Sequence, residues 1–115
     1  MLPKINRIKK KKDFEIIFKK GASFKNGLFV LRFVKNNSDK SRFGFIVSQK
    51  VSKKATVRNK IRRRLTEIIK AERKTIKAGT DLVLIAMPGA EKKDFSEIKE
   101  SLSGLLLKAK IITTT

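Results

Sequence analysis

From Phe14 onward the chain repeats apolar residues at helical spacing: Phe14, Ile17 and Phe18 fall at i, i+3 and i+4 within KKDFEIIFKKG. That recurrence predicts a short amphipathic helix, with Asp13 and Glu15 in its early turns and Gly21 placed to end it. The period then changes to two. In LFVLRFV, Phe29, Leu31 and Phe33 share one face, and Leu28, Val30, Arg32 and Val34 share the other, as in a strand. After the turn-forming KNNSDKS, the alternation resumes at Phe43, Phe45 and Val47 of RFGFIVSQ. The two runs therefore predict an antiparallel hairpin, with Gly44 marking a bulge or a close backbone approach. Val57, Ile61, Leu65, Ile68 and Ile69 return to a helical period, extending to about residue 74. KAGTDLVLIAMPG reads as a glycine turn, a strand over 81–87 and a Pro-Gly stop. In DFSEIKESLSGLLLKAKII, Asp94 and Glu97 form a capping-box start, and Phe95, Ile98, Leu102, Leu105 and Leu106 form an apolar stripe. Helix, strands, helix, strand and helix together predict one α+β domain over residues 1–112, without repeats or low-complexity linkers. The TTT of 113–115 reads as a disordered tail.

Composition changes the picture from fold to partner. In 115 residues, 30 Lys and Arg stand against 10 Asp and Glu, a net charge of +20. Self-repulsion of that size points to a polyanionic partner. The chain has no Cys and no His, which excludes disulfides, zinc fingers and imidazole chemistry. No apolar run approaches the roughly 20 residues of a membrane span, and the basic N-terminus precedes no signal-like apolar region. A soluble, cytoplasmic protein without membrane contacts is expected.

The charge is also sorted. VRNKIRRRLTEIIK, residues 57–70, carries Arg58, Lys60, Arg62, Arg63, Arg64 and Lys70 against Glu67 alone. On a helical projection the five aliphatic residues occupy a single arc. Arg58 and Arg62 lie on one flank, Lys60 and Arg64 on the other, and Asn59, Arg63 and Lys70 point away from the core. Solvated helix faces ordinarily mix signs, because like charges four residues apart are mutually destabilising. Three turns without mixing favour a phosphate-binding face, and the dominance of Arg favours forked hydrogen bonds to phosphate or base edges. The acids Glu91, Asp94, Glu97 and Glu100 cluster at the start of the last helix, where they suit the helix dipole better than a two-metal nuclease site.

VRNKIRRRLTEII following FGFIVSQKVS is similar to the RNR signature helix of the bacterial ribonuclease P protein subunit, and RIKKKKDFEIIFKKG resembles that family's N-terminal stretch. PGA after the last strand and the Leu-rich last helix fit as well, so the resemblance spans nearly the whole chain. It implies an α-β-β-β-α-β-α order, with a mixed sheet of about four strands and a left-handed β-α-β crossover, as in the second domain of a small-subunit ribosomal protein. Chain geometry alone favours the right-handed connection.

The resemblance further implies the protein subunit of a ribonucleoprotein endonuclease, a hydrolase of tRNA processing that removes the 5′ leader of precursor tRNA. Its chemistry would reside in the catalytic RNA, with Mg²⁺ held by RNA and substrate. Its partners would be that RNA and precursor tRNA, not DNA. Arg58, Asn59, Arg62 and Arg63 match the signature and would face the RNA subunit; Lys60 stands where Arg is usual, and Arg64 adjoins them. Thr66 and Met87 depart from positions that are often basic, Arg64 being a candidate to compensate for Thr66. Phe14, Phe18, Arg32 and Lys50 match a cleft for the leader, where bases stack on aromatic faces. Paired Phe residues at i, i+4 also suit a core, to which Phe29, Phe33, Phe43 and Phe45 are assigned. Residues 4–12 form a basic arm able to bind RNA or to solubilise. The alternative is a non-enzymatic RNA-binding protein, such as a ribosomal protein of related fold. It accounts for the charge, but not for the coincidence of signature helix, aromatic pair and strand order.

Overall fold

TDLVLIA is apolar on both of its alternating faces from Leu82 to Ala86, the pattern of a strand covered on both sides. The computed structural model, which describes residues 3–72 and 74–111, places it accordingly. The elements are α1 (Lys11–Lys20), β1 (Ala22–Lys25), β2 (Phe29–Lys35), β3 (Arg42–Ile46), α2 (Ala55–Glu72), β4 (Thr80–Ala86) and α3 (Phe95–Lys108), with 3-10 turns at Lys4–Asn6 and Ala90–Lys92. They form one α+β domain around a mixed sheet ordered β1-β2-β4-β3. β2 is antiparallel to β1 and β4, whereas β3 is parallel to β4. The tail at 113–115 lies outside the described residues.

The hairpin expected between β2 and β3 does not form, because β4 lies between them. KNNSDKS is instead a connection across the start of β4. The Asn36 N–H donates to Gly79 O at 2.7 Å, its side chain donates to Asp81 Oδ1 at 2.7 Å, and Ser41 Oγ donates to Lys77 O at 3.0 Å. The hairpin that does form joins β1 to β2. The Asn26 side chain accepts the Leu28 and Phe29 N–H groups at 2.9 and 2.8 Å, mimicking a backbone turn. The backbone turns extended at Gly21, which ends α1, and the position takes no side chain: a Cβ would lie 2.4 Å from Ile17 O and 2.8 Å from Phe33 O.

The sheet has a core on each face. Phe29, Leu31, Phe43, Leu82 and Leu84 pack with Ile61, Leu65, Ile68 and Ile69 of α2 and with Ile98, Leu102, Leu105 and Leu106 of α3. Val57, Phe33 and Phe45 are partly buried against them. On the opposite face, Ile17 of α1 and Ile8 pack on Val83, flanked by Phe14, Phe18, Val34, Ile46 and Ile85. Asp94 and Glu97 make the expected capping box. Phe95 leaves the predicted stripe and is 42% exposed. It is the first residue of α3, and at that end the core beside α2 is completed by the fully buried Ala90.

One partly buried network carries no periodic signature. Arg42 binds Asp81 through two guanidinium nitrogens at 2.9 and 2.5 Å and reaches Asp13 of α1 at 3.2 Å. Its pKa is raised, chiefly by the hydrogen bond to Asp81 and against the opposing effect of burial. The link fastens the N-terminal turn of α1 to the end of the sheet where β3 and β4 begin.

Candidate nucleic-acid interface

α2 is oriented by its aliphatic arc, and the cations fall where the projection puts them. Asn59, Lys60, Arg63 and Lys70 are exposed, while Arg58, Arg62 and Arg64 are half-buried on the flanks. The flanking arginines hold backbone. Arg58 Nη1 donates to Ser52 O at 3.0 Å, and Arg62 donates to Val47 O at 3.5 Å and to the side-chain oxygen of Asn59. On the other flank Arg64 Nη1 donates to Lys93 O at 2.9 Å. Each guanidinium thus fixes a connection beside α2 and keeps further N–H groups for a ligand. Among the described residues none of these cations is paired with a carboxylate.

A second surface begins at the outer edge of β3. A hollow of about 240 Å³ is lined by Arg7, Ile8, Phe14, Phe43, Gly44, Phe45, Arg62 and Thr66. Another, of about 420 Å³, is lined by Lys9, Lys11, Phe14, Phe18 and Ile46. Phe14 borders both. Its ring rests on Gly44, where a Cβ would come within 2.9 Å of Cε1 and 3.0 Å of Cζ; the glycine is therefore a close-approach site, without a bulge. Arg62 and Thr66 also border an outer hollow with Asn59, Arg63 and Glu67. The cationic face and the aromatic hollow consequently meet along one strip of α2.

Phe14 and Phe18 are half-buried: each packs on the α1-side core and also faces open space, while Ile17 between them is fully buried. Arg32 is drawn into this arrangement. Its Nη2 donates to Phe18 O at 2.7 Å and its guanidinium carbon lies 5.4 Å from the Phe18 ring centroid, a cation–π contact. Arg32 Nε is buried without a hydrogen-bond partner. Lys50 stands apart: it is exposed in the turn after β3 and is not among the residues lining either hollow at Phe14.

The basic arm read at residues 4–12 is held in place: Asn6 Nδ2 donates to Ser41 O at 2.8 Å and the Ile8 N–H donates to Phe43 O at 2.9 Å, fastening it beside β3, and Lys11 and Lys12 open α1. Thr66 Oγ1 donates to Arg62 O at 2.8 Å, and Arg64, on the opposite flank, does not stand in for it. Arg7 and Ile46 line the hollows although no local pattern marks them, beside Gly44, whose close approach the sequence signals; they are brought there by the Arg7–Phe43 bridge and by the packing of α1. Asp94 and Glu97 serve the start of α3, Asp94 Oδ1 accepting the Glu97 N–H at 2.8 Å and Glu97 lying 3.5 Å from Lys93, whereas Glu91 serves the preceding 3-10 turn by accepting the Gly89 N–H at 2.9 Å.

A small α+β domain with one sorted cationic helix running into an aromatic hollow presents a surface suited to a polyanion. Comparison with known proteins identifies the family: the chain belongs to the ribonuclease P protein family, whose model, described as "Ribonuclease P", matches residues 2–110. It is 40% identical over 109 residues to the "Ribonuclease P protein component" of Clostridium botulinum (strain 657 / Type Ba4), covering 94% of this chain and 97% of the relative. The Staphylococcus aureus RNase P protein superposes with a TM-score of 0.88 at 38% identity, covering 94% of this chain and 98% of that one. The Thermotoga maritima protein superposes with a TM-score of 0.81 at 38% identity, covering 89% and 96%. These relationships support a protein subunit of ribonuclease P, with ribonuclease P RNA as partner, and do not favour a ribosomal protein of related fold.

Proposed function

We propose that the chain grips the catalytic RNA of ribonuclease P with the outer face of α2 and guides the 5′ leader of precursor tRNA along the hollow beside Phe14 and Phe18. The observation that carries this reading is the continuity of the two surfaces through Arg62 and Thr66. Arg58, Asn59, Lys60, Arg62, Arg63 and Arg64 supply the RNA-subunit contacts. The flanking arginines are pre-organised by the carbonyls they hold, so less side-chain freedom is lost on binding. Phe14 and Phe18 offer ring faces on which any base stacks, which suits leaders of variable sequence. Arg32 serves this site by holding Phe18. Lys50, beside Lys53 and Lys54, contributes positive potential before the first turn of α2.

The hydrolytic chemistry is assigned to the RNA. No imidazole or thiol exists in this chain, Asp94 and Glu97 are engaged in capping α3, and Asp13 and Asp81 are engaged by Arg42. Mg²⁺ belongs with RNA and substrate phosphates; the protein's cations replace part of the counterion atmosphere and so lower the Mg²⁺ requirement. The setting is the cytoplasm, with neither DNA nor membrane as partner. Among the described residues no helix is long and apolar enough to cross a membrane.

The test is reconstitution. Purified protein added to a bacterial ribonuclease P RNA should shift precursor tRNA cleavage to lower Mg²⁺ concentrations, while RNA-free protein supplied with Mg²⁺ or Mn²⁺ should cleave nothing. Hydrolysis by RNA-free preparations would overturn the assignment of chemistry to the RNA. An unchanged Mg²⁺ requirement would overturn the counterion role.

A further inference from the structure

α3 ends in a turn that glycine ordinarily occupies. The Lys110 N–H donates to Leu107 O at 3.0 Å and the Ile111 N–H to Leu106 O at 3.3 Å, a paired closure requiring left-handed backbone at the residue after the cap. That residue is Lys110, with φ of 59°. A lysine there crowds its Cβ against the neighbouring carbonyl, which Gly avoids. Strained backbone of this kind persists where the surrounding structure over-determines it, as the two closing hydrogen bonds do here, and such residues cluster at functional sites.

The surroundings of Lys110 supply one. It lines a hollow of about 330 Å³ together with Lys35 from the end of β2 and Lys77 from the loop before β4, over Phe33, Thr80 and Ile111. All three lysines are exposed, and among the described residues no Asp or Glu lines the hollow. Its walls are knitted together: the Lys77 N–H donates to Ile111 O at 2.8 Å, and Thr80 Oγ1 donates to Lys77 O at 2.9 Å. Phe33 is braced by Phe24, the ring centroids being 6.1 Å apart and the planes 16° from parallel.

This site is separate from both surfaces described above. Phe33 and Lys35 follow Leu31 on the α2 and α3 side of the sheet, not the α1 side. Thr80 begins β4, whereas α2 starts after the far end of the parallel strand β3. Six residue steps along β4 put Thr80 on the order of 20 Å from the level at which α2 begins, and no residue lining this hollow lines the hollows at Phe14 or beside Arg63.

We infer that the hollow is a second RNA contact, taking a backbone phosphate on Lys35, Lys77 and Lys110 with the adjoining nucleoside against Phe33 and Ile111. The inference rests on the RNA-binding reading of the chain, but not on which face of α2 is used. Three point-like ammonium groups around an apolar floor match a phosphodiester and its base, and RNA already held by α2 presents phosphates at high effective concentration.

The decisive variant is Lys110→Gly, since it relieves the strained turn while removing the charge. Its melting temperature should rise by about 2 to 5 °C. Its binding to ribonuclease P RNA, followed by fluorescence anisotropy against NaCl, should lose roughly 0.7 to 0.9 from the slope of log affinity on log salt. Combining it with Lys35→Gln and Lys77→Gln should remove about 2 or more. Arg63→Ala is the control for α2. A more stable Lys110→Gly protein with an unaltered slope, beside an Arg63→Ala protein with a reduced one, would overturn the second site and leave the α2 reading standing. Unaltered slopes in both would overturn the two together. NMR titration with inorganic phosphate and with polyglutamate separates ligand classes. Shifts of the Thr80 and Ile111 amides with phosphate support the inference, and shifts with polyglutamate alone overturn it in favour of an acidic protein.

Discussion

At the scale of single residues, α1 shows how one apolar stripe divides between stability and recognition. Ile17 is fully buried, whereas Phe14 and Phe18 on either side keep open space before them. Ile17→Ala should therefore cost about 2 to 5 kcal/mol of folding stability and impair every substrate alike. Phe14→Ala or Phe18→Ala should cost less stability than the roughly 3 to 5 kcal/mol of a fully buried Phe, and should weaken holoenzyme binding of leader-bearing precursor tRNA by about 1 to 3 kcal/mol. Affinity for mature tRNA should barely change. Thermal unfolding measured beside the two affinities checks the division: equal losses for precursor and mature tRNA with a large fall in melting temperature would return both rings to the core. Gly44→Ala provides an independent probe, because the new methyl meets the Phe14 ring at 2.9 Å. It should reduce leader affinity without touching any cation, and a wild-type preference for precursor over mature tRNA in this variant would dissociate Phe14 from the leader.

At the scale of elements, the three helices were legible because their signals are local. The period of α2, the capping box of α3 and the closely spaced apolar residues of α1 need only neighbouring residues to be read. Strand pairing is non-local, and there the reading failed. β4 reaches its place between β2 and β3 only after the whole of α2 has been laid down, and the four-residue β1, exposed except at Phe24, shows little pattern at all. The cationic face of α2 was likewise readable by projection, but the carbonyls held by Arg58, Arg62 and Arg64 were not, since the partners come from other segments. Those partners separate two variants that look equivalent in sequence. Arg63→Ala should lower RNA affinity and reduce the salt slope by about 0.7 to 0.9, with stability within about 0.5 kcal/mol of wild type. Arg58→Ala should show the same binding loss plus about 0.5 to 1.5 kcal/mol of stability, as the bond to Ser52 O disappears. Arg58→Lys should recover charge but not the fork. Salt-dependent binding with denaturant unfolding measures both quantities, and equal stability of the Arg58→Ala and Arg63→Ala proteins would refute a structural role for Arg58.

At the scale of the whole molecule, a net charge of +20 is confined within principal extents of 37 × 34 × 24 Å. The cations cannot escape one another at low salt, where the Debye length of about 30 Å at 0.01 M approaches the size of the domain. Unfolding lets them separate, so self-repulsion favours the unfolded chain and opposes the apolar packing on both faces of the sheet. The melting temperature should accordingly rise between 10 and 200 mM NaCl, the opposite of what surface ion pairs alone would give. Anions that also bind the folded cationic surfaces should do more than screen. Pyrophosphate, matched to NaCl in ionic strength, should raise the melting temperature further, because a ligand bound only by the native state adds stability in proportion to the logarithm of its concentration above its dissociation constant. Scanning calorimetry across the two salt series tests both steps. A melting temperature that stays flat or falls with NaCl would mean that the sorted charge does not strain the fold. Equal curves for the two anions would mean that screening, without site binding, accounts for the response.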